Sequence, residues 1–411
     1  MIELKGKYNK DCKIFTDNID EESYSILYKI LNEKASEDVK IRIMPDTHLG
    51  KGVVVGFTMP LTDRVNPFHI GVDIGCGMLT SKLSDEIKDI PLEKIDKTIK
   101  QNIPMGQSIH IEKIDKTIKQ NIPMGQSIHK KSFNTLFNFK ELNELIRNFI
   151  INYNKKFNTQ FEVFEIDNEY IEKLCQRVEI DLEKFHNSIG TLGGGNHFIE
   201  IGKSSNNDYY ITIHSGSRNF GNQVCRYHAK IAKNNEDYYL QDKEMFDYLI
   251  DMVIAQYYAK INRETILKII KDSLNIEIED NFSSVHNFID FEDFIIRKGA
   301  IRSYENEKMI IPFNMRDGIL VCEGKSNEDW NFSAPHGAGR VLSRVQARNQ
   351  LDIKEFVDSM KGIYSSSVCK NTLDESPMAY KNPNKIEELI EPTVKVIDRL
   401  KPVLNIKSTS K

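Results

Sequence analysis

No Ser/Gly-rich or Pro-rich linker interrupts the 411 residues of this chain, and that continuity constrains the fold more than any figure for composition. A chain of this length ordinarily divides into two or three domains. Here apolar runs, Gly-punctuated turns and charged helical stretches follow one another without a break, which points to one intertwined domain over residues 1–411. Residues 40–45 (KIRIMP), 53–60 (VVVGFTMP) and 69–78 (HIGVDIGCGM) read as strands or strand ends bounded by turns. Residues 130–187 carry helical spacing, 209–214 (YYITIH) a buried strand, 224–274 a long helical region and 309–324 a return to strand. The last segment, NKIEELIEPTVKVIDRLKPVLNIK, holds a short helix and a final extended stretch. The expected class is α+β: a single domain of mixed β-sheets with surrounding helices.

Composition narrows the function classes. A hydrophobic content of 40% with 28% charged residues excludes wholesale disorder. The net charge of −4 advertises no global basic field, so contact with nucleic acid would need a local groove. No apolar run approaches the roughly 20 residues that span a bilayer, and the N-terminus has no apolar signal-like region. The six cysteines form no CxxC, which fits reduced thiols and a cytoplasmic location. One repeat stands out: EKIDKTIKQNIPMGQSIH occurs at 93–110 and again, letter for letter, at 112–129. Solenoid repeats diverge and come in threes or more. A single perfect duplication instead predicts one copy in the native site and the other as a surface insertion, with His110 and His129 non-catalytic. Ile95 and Ile99, and likewise Ile114 and Ile118, would give each copy a small amphipathic helix.

The chemistry concentrates at polar strand ends. In GVDIGCGM, Asp73 and Cys76 stand three apart between glycines that allow both side chains to converge. A carboxylate and a thiolate suit Mn, Fe or Zn, although a lone buried Cys in a turn is the commoner case. GTLGGGNHFIEI places Asn196, His197 and Glu200 after a Gly triplet that could approach a phosphate; any tight turn could use the same triplet. HSGSR presents His214 beside Arg218, an arrangement suited to an anion or, equally, to an ordinary surface loop. SSVHNFID adds His286 and Asn287. In SAPHGAGR, His336 lies on a Gly-rich turn that reads as opening a helix over VLSRVQARNQL, where a neutral imidazole could attack phosphorus. Together Asp73, Cys76, His197, His214 and His286 are enough ligands for two metals if the sulfur bridges.

The set MPDTHLGKG (44–52), GVDIGCGM, GTLGGGNHF, HSGSR, HGAGR and the C-terminal LKPVLNIK resembles, in order and over most of the chain, the RtcB family of RNA ligases. The resemblance implies an enzyme that joins RNA 2′,3′-cyclic-phosphate or 3′-phosphate ends to 5′-hydroxyl ends, using GTP and two Mn²⁺, in tRNA splicing or RNA repair. It implies that Asp73, Cys76 and His197 hold one Mn²⁺, that Cys76, His214 and His286 hold the other, and that His336 takes GMP from GTP. It further places Asn196, His197, Phe198, Ile199, Glu200, His286, Asn287, Pro312, Phe313, Asn314, Met315, His336, Gly337, Ala338, Gly339 and Lys407 around the nucleotide, and Arg218 at the RNA phosphate. A monomer is expected, with archease as a candidate activating partner and no membrane. Two stretches depart from the family pattern. The loop 312–318 reads PFNMRDG, in which Phe313 could stack on a base and Asn314 or Asp317 read its edge, or the loop could simply be repacked. SGSRNFG replaces a more Gly-rich continuation. Both suggest a divergent branch and bear on guanine selectivity. His48 could touch RNA or metal-bound water and Lys51 a phosphate, whereas His69, His186 and His228 read as structural. The rival functions are a dinuclear-metal phosphoesterase that does not ligate, needing neither His336 nor Lys407, and an RNA-end-binding protein that takes no label from GTP.

Overall fold

The computed structural model describes residues 1–103, 129 and 137–409. Most of the tandem repeat, from 104 to 128 and including His110, lies outside the described residues, and with it the expectation that one copy forms a surface insertion. Two sheets organise the rest. The larger is antiparallel throughout, in the order Ile278–Val285, Gly77–Leu83, Tyr209–Ser215, Phe198–Lys203, Val394–Ile406, Ile319–Gly324, Lys308–Pro312. The six-stranded sheet is mixed: Ile2–Leu4, Cys12–Ile14, Ile41–His48, Val55–Pro60, Ile295–Lys298, Asn287–Ile289, with Cys12–Ile14 and Ile41–His48 parallel. The α+β reading therefore holds, with flanking helices, but of the two sheets only the six-stranded one is mixed.

Alternation along the central strands explains what each face does. In Tyr209–Ser215, Ile211 and Ile213 turn into an Ile/Leu-rich core, while His214 points the other way. Register places Met78 and Phe198 opposite His214, and Thr212 and Asn405 opposite Glu200. One face of the larger sheet thus collects the polar strand-end residues and the other is packed core. The helix Leu92–Asn102, cut from the first repeat copy, seals that core with Ile95 and Ile99, each 1% exposed. His286 is the single residue between Ile278–Val285 of one sheet and Asn287–Ile289 of the other. It sits where the two sheets hand over the chain.

The long helical region expected over 224–274 is present as two helices. It divides into Arg218–Asn234 and Asp242–Leu274, with the short strand Leu240–Gln241 between them. Asp242–Leu274 runs 33 residues and is buried on most sides, and its Asn262 and Arg263 are buried polar groups facing the loops that carry the candidate ligands. The turn after His336 is also different from the expectation. Residues 337–342 form loop, with Arg340 bridged to Tyr380, and the helix starts only at Arg344. Ser343 Oγ accepts from the Gln346 N–H while the Gln346 side chain accepts from the Ser343 N–H, a capping box that fixes the later start. His336 is therefore not presented at a helix N-terminus. No helix among the described residues is long and apolar enough to cross a membrane.

Candidate active site

The five expected ligands come together. Cys76 Sγ lies 3.4 Å from His197 Nε2 and 3.3 Å from His214 Nε2; His197 Nε2 is 3.0 Å from Asp73 Oδ2, and His214 Nε2 is 3.3 Å from His286 Nε2. Two candidate metal-holding groups result, Asp73–Cys76–His197 and Cys76–His214–His286, each with its ligand atoms within 4.8 Å of one another. Cys76 is common to both. His197 Nδ1 is 2.9 Å from the Leu192 carbonyl, so a proton there leaves Nε2 as the inward lone pair. Burial holds His214 and His286 well below the usual imidazole range, which keeps them neutral and able to ligate. Asp73 Oδ1 is buried with no hydrogen-bond partner. A bare set of soft and hard donors converging with an orphaned carboxylate oxygen fits two cations that share a thiolate.

The backbone that delivers these groups is braced from the long helix. Asn262 Oδ1 accepts from the Gly190 and Thr191 N–H groups, and its Nδ2 donates to the Gly216 carbonyl. Arg263 donates to the carbonyls of Gly75 and Ser215. Two glycines are required by close approach: a Cβ at Gly216 would stand 2.2 Å from Asp73 Oδ1, and one at Gly193 would stand 2.0 Å from the Arg218 guanidinium. The Gly triplet therefore makes room for Arg218, whose Nε donates to Thr191 Oγ1 at 3.1 Å.

His336 stands beside this cluster, its ring centroid 4.8 Å from that of His286. Its Nδ1 is 2.7 Å from Oδ2 of Asp46, a carboxylate with no exposed surface at the end of the strand Ile41–His48. A proton held on Nδ1 by that carboxylate leaves Nε2 with the free lone pair. His336 opens onto a cleft of about 980 Å³ lined by Asn196, Phe198, Glu200, His214, Pro312, Phe313, Asn314, Met315, Gly337, Ala338, Gly339 and Lys407. Lys407 Nζ is 2.8 Å from Glu375 Oε2, and Tyr380 donates its hydroxyl to the same oxygen at 2.9 Å. Burial alone would raise the Glu375 carboxyl, but Lys407, Arg344 and Arg340 hold it at about 2.

Not every expected nucleotide residue faces this cleft. Ile199 sits between Phe198 and Glu200 on its strand, so its side chain turns into the opposite core with no exposed surface. It can offer only backbone. His286 and Asn287 line a smaller adjoining hollow instead, and Asn287 is tied to backbone, Nδ2 donating to Asp73 O and Oδ1 accepting from Gly299 N. Phe313, Asn314 and Met315 do line the cleft, but Phe313 is 3% exposed within a hydrophobic cluster, with Arg399 over its ring at 5.4 Å. Asn314 Oδ1 accepts from the Arg316 and Asp317 N–H groups, and its Nδ2 donates to Asp317. The 312–318 loop is thus built around its own contacts, with Met315 1% exposed in a further apolar cluster. His69 packs against Phe57 and Tyr239, and His228 pairs with buried Asp251 at 2.6 Å. Asp46, Asn262, Arg263 and Glu375 were not picked out by the sequence reading. Of these only Asp46, inside MPDTHLGKG, carried a motif-level signal.

Glu200 supplies a stability test. Its carboxyl is buried, accepts from Asn405 Nδ2 and is pushed by burial up to about 8, with Asn405 and Lys407 only partly opposing. Between pH 4.5 and 8 the folded protein therefore retains a proton that the unfolded chain releases, so this group subtracts stability as pH rises. Glu200→Gln removes the titration. The thermal midpoint of the variant relative to the parent should climb from pH 5 to pH 8 by about 1–2 °C per pH unit. Scanning calorimetry showing a pH-independent difference would contradict a neutral Glu200.

The family model for tRNA-splicing ligase RtcB matches residues 35–408. The chain is similar to an RNA-splicing ligase RtcB of Escherichia coli (strain K12), at 27% identity over 89% of this chain and 90% of that protein. It is similar as well to a tRNA-splicing ligase RtcB of Nanoarchaeum equitans, at 27% identity over 89% of this chain and 87% of that one. An RNA-splicing ligase RtcB homolog of Entamoeba dispar shares 25% identity over 90% of this chain and 80% of its own length. A match over nearly the whole chain, meeting a cluster and a cleft built from the motifs themselves, makes the protein a member of the RtcB family of RNA-splicing ligases.

Proposed function

We propose that this RNA ligase joins RNA 2′,3′-cyclic-phosphate or 3′-phosphate ends to 5′-hydroxyl ends through a guanylyl group carried on His336, with GTP as the nucleotide and two Mn²⁺ as cofactors. The observation that carries the reading is the bond between His336 Nδ1 and buried Asp46, which leaves Nε2 at the junction of the large cleft and the ligand cluster. Nε2 attacks the α-phosphorus, the P–N bond forms and pyrophosphate departs. Asp46 then stabilises the positive charge on the substituted imidazole. The labile P–N bond passes GMP to an RNA 3′-phosphate, regenerating the neutral ring, and the 5′-hydroxyl displaces GMP from the activated end. A cyclic phosphate is first opened by water, whose oxygen bonds to phosphorus as the P–O2′ bond breaks, giving the 3′-phosphate and a free 2′-hydroxyl. Asp73, Cys76, His197, His214 and His286 would hold the Mn²⁺ pair, whose chemistry when bound is to neutralise and polarise phosphoryl oxygens. Phe198, Glu200, Gly337 to Gly339 and Lys407 line the cleft that would take the guanylate, and Arg218, beside His197 and outside that lining, would meet the RNA phosphate. The likeness of motifs and the soluble-type composition support a cytoplasmic monomer working in tRNA splicing or RNA repair, with archease as a candidate activator.

Incubation with α-labelled GTP and Mn²⁺, followed by denaturing electrophoresis and acid treatment, tests the central step. An acid-labile label on the parent protein and none on His336→Asn is the expected result. No label from GTP or ATP on metal-loaded protein would remove the nucleotidyl-histidine and leave a phosphoesterase.

A further inference from the structure

The tandem repeat is a feature of the sequence that the proposed reaction does not use, yet its first copy has a well-defined seat. Ile95, Ile99 and Ile103 are buried in one apolar cluster with Ile266, Ile270 and Leu274 of the long helix Asp242–Leu274. On the flank of the helix Leu92–Asn102, Ser366 Oγ donates to Asp96 Oδ2 and accepts from the Lys100 ammonium. The same ammonium stands 3.4 Å from Asp96 Oδ1. Apolar side chains alone would let the helix slide by a turn; the buried Asp96 carboxylate fixes where along its axis the helix sits. The seat also matters to the cleft. Ile199 and Ile213 belong to the same cluster and form the back of strands whose fronts carry Glu200 and His214.

We propose that this seat is a binding surface for both copies: residues 112–122 take it in exchange with residues 93–103, so the chain has two registers with the same contacts. Residues 93–110 and 112–129 are identical, so Ile114, Asp115, Ile118, Lys119 and Ile122 repeat the spacing of Ile95, Asp96, Ile99, Lys100 and Ile103. Apolar anchors and polar anchor are all present twice. A seat that refused the second copy would have to distinguish identical groups. The one change, Leu92 against Ile111, falls at a half-buried position and keeps the volume. Only the chain on either side differs, and both flanking anchors serve either register. Before the seat, Ile87 is buried in the same cluster. After it, the His129 N–H donates to the Asn187 carbonyl at 2.8 Å. A Cβ on Gly190 would meet both His129 Nε2 and Ile269, and Ile269 packs against the seat's own cluster, so His129 stands next to the seat. Residues 123–128 can reach that far, since an extended chain spans about 3.3–3.6 Å per residue. In one register residues 104–128 join the seat to His129; in the other, residues 91–111 join Ile90 to the seat. The entropy of closing such a stretch changes only with the logarithm of its length, so moving the surplus from one side to the other costs little.

Substitutions break the identity and so tell the copies apart. Ile99→Ala and Ile118→Ala, singly and together in the full-length protein, are compared by equilibrium urea unfolding. Each single variant loses one of two equivalent registers, so its unfolding constant should rise only about twofold. The double variant keeps no intact copy, and its constant should rise on the order of 10²-fold, far beyond the product of the singles. Ile99→Ala alone as costly as the double variant means that the seat takes only the first copy, and Ile118→Ala alone as costly means that it takes only the second. A double variant no worse than the singles means that the seat does not depend on this isoleucine. Each of these three results overturns the sharing. A second measurement does not need reversible unfolding: Ser366→Cys is paired with Asp96→Cys in one protein and with Asp115→Cys in another, and the mildly oxidised chains are mapped by mass spectrometry. Both pairs should cross-link. A bond from 366 to 96 without one from 366 to 115 would overturn the proposal as well, whatever chemistry His336 performs.

Discussion

Asp46→Asn should slow single-turnover guanylylation of His336 on the order of 10³-fold while metal content and fold persist. The carboxylate has no exposed surface and its Oδ2 lies 2.7 Å from His336 Nδ1. As an acceptor only, it dictates that Nδ1 bears the proton and Nε2 the lone pair. An amide of the same shape can turn its NH₂ toward Nδ1, which moves the ring proton to Nε2 and masks the nucleophile. It also removes the negative charge that offsets the cationic imidazole formed when the P–N bond is made. In Ser–His–Asp enzymes the equivalent Asp-to-Asn change costs about 10⁴ through the wrong tautomer. In the proposed reaction the histidine is itself the nucleophile, so the effect falls on the first covalent step and not on later sealing of a pre-activated strand. Quench-flow with α-labelled GTP measures the first, and sealing of a chemically guanylylated RNA measures the second. A drop of less than tenfold in the first, or an equal drop in both, would show that Asp46 does not set the tautomer.

The contrast between His336 and Asp46 shows where the sequence is readable. His336, Asp73, Cys76 and His197 announce themselves because glycines or proline flank polar residues at strand ends, and such flanks are needed wherever backbone must turn sharply to present a side chain. Asp46 lies 290 residues from its partner, and nothing local marks the pairing. Asn262 and Arg263 are less legible still. They occupy the middle of a helix that is apolar on most sides, so no amphipathic period reveals which face meets the ligand loops. Elements followed the same rule. Strands with clean alternation, such as Tyr209–Ser215, and the short C-terminal helix Pro383–Ile390 match their sequence signals. The helix after His336 starts later than the Gly-rich turn suggests, because a capping box at Ser343 outweighs a loop with no cap of its own. Ile199 was grouped with its neighbours by motif, but strand alternation points it to the opposite face. Phe313 and Asn314 look free in a list of residues and are engaged once the loop closes on itself.

Cys76→Ser should abolish binding of both metal ions together, and ligation with them by 10³-fold or more, whereas His286→Ala should cost one ion. The asymmetry follows from the sharing of one sulfur: Cys76 belongs to both candidate groups, and His286 to one. Burial, reinforced by the neighbouring Asp73 carboxylate, pushes the Cys76 thiol well above its ordinary value, so in the metal-free protein it stays protonated. A bound cation reverses that balance by deprotonating the thiol outright. A serine hydroxyl in the same place is far less acidic and a poor soft donor, so it cannot supply the bridging anion. The remaining groups are then Asp73 with His197 and His214 with His286, two pairs too sparse to compete with water for a divalent ion. After His286→Ala, by contrast, Asp73, Cys76 and His197 still form a complete set. Equilibrium dialysis against Mn²⁺ should give about two equivalents for the parent, about one for His286→Ala and well under one for Cys76→Ser. Because an ion that binds only the folded chain raises its stability by mass action, the thermal midpoint should rise with added Mn²⁺ in the first two proteins and stay flat in the third. Two equivalents retained by Cys76→Ser would mean that the histidines and Asp73 hold the ions without a bridge, and the shared-thiolate centre would have to be given up.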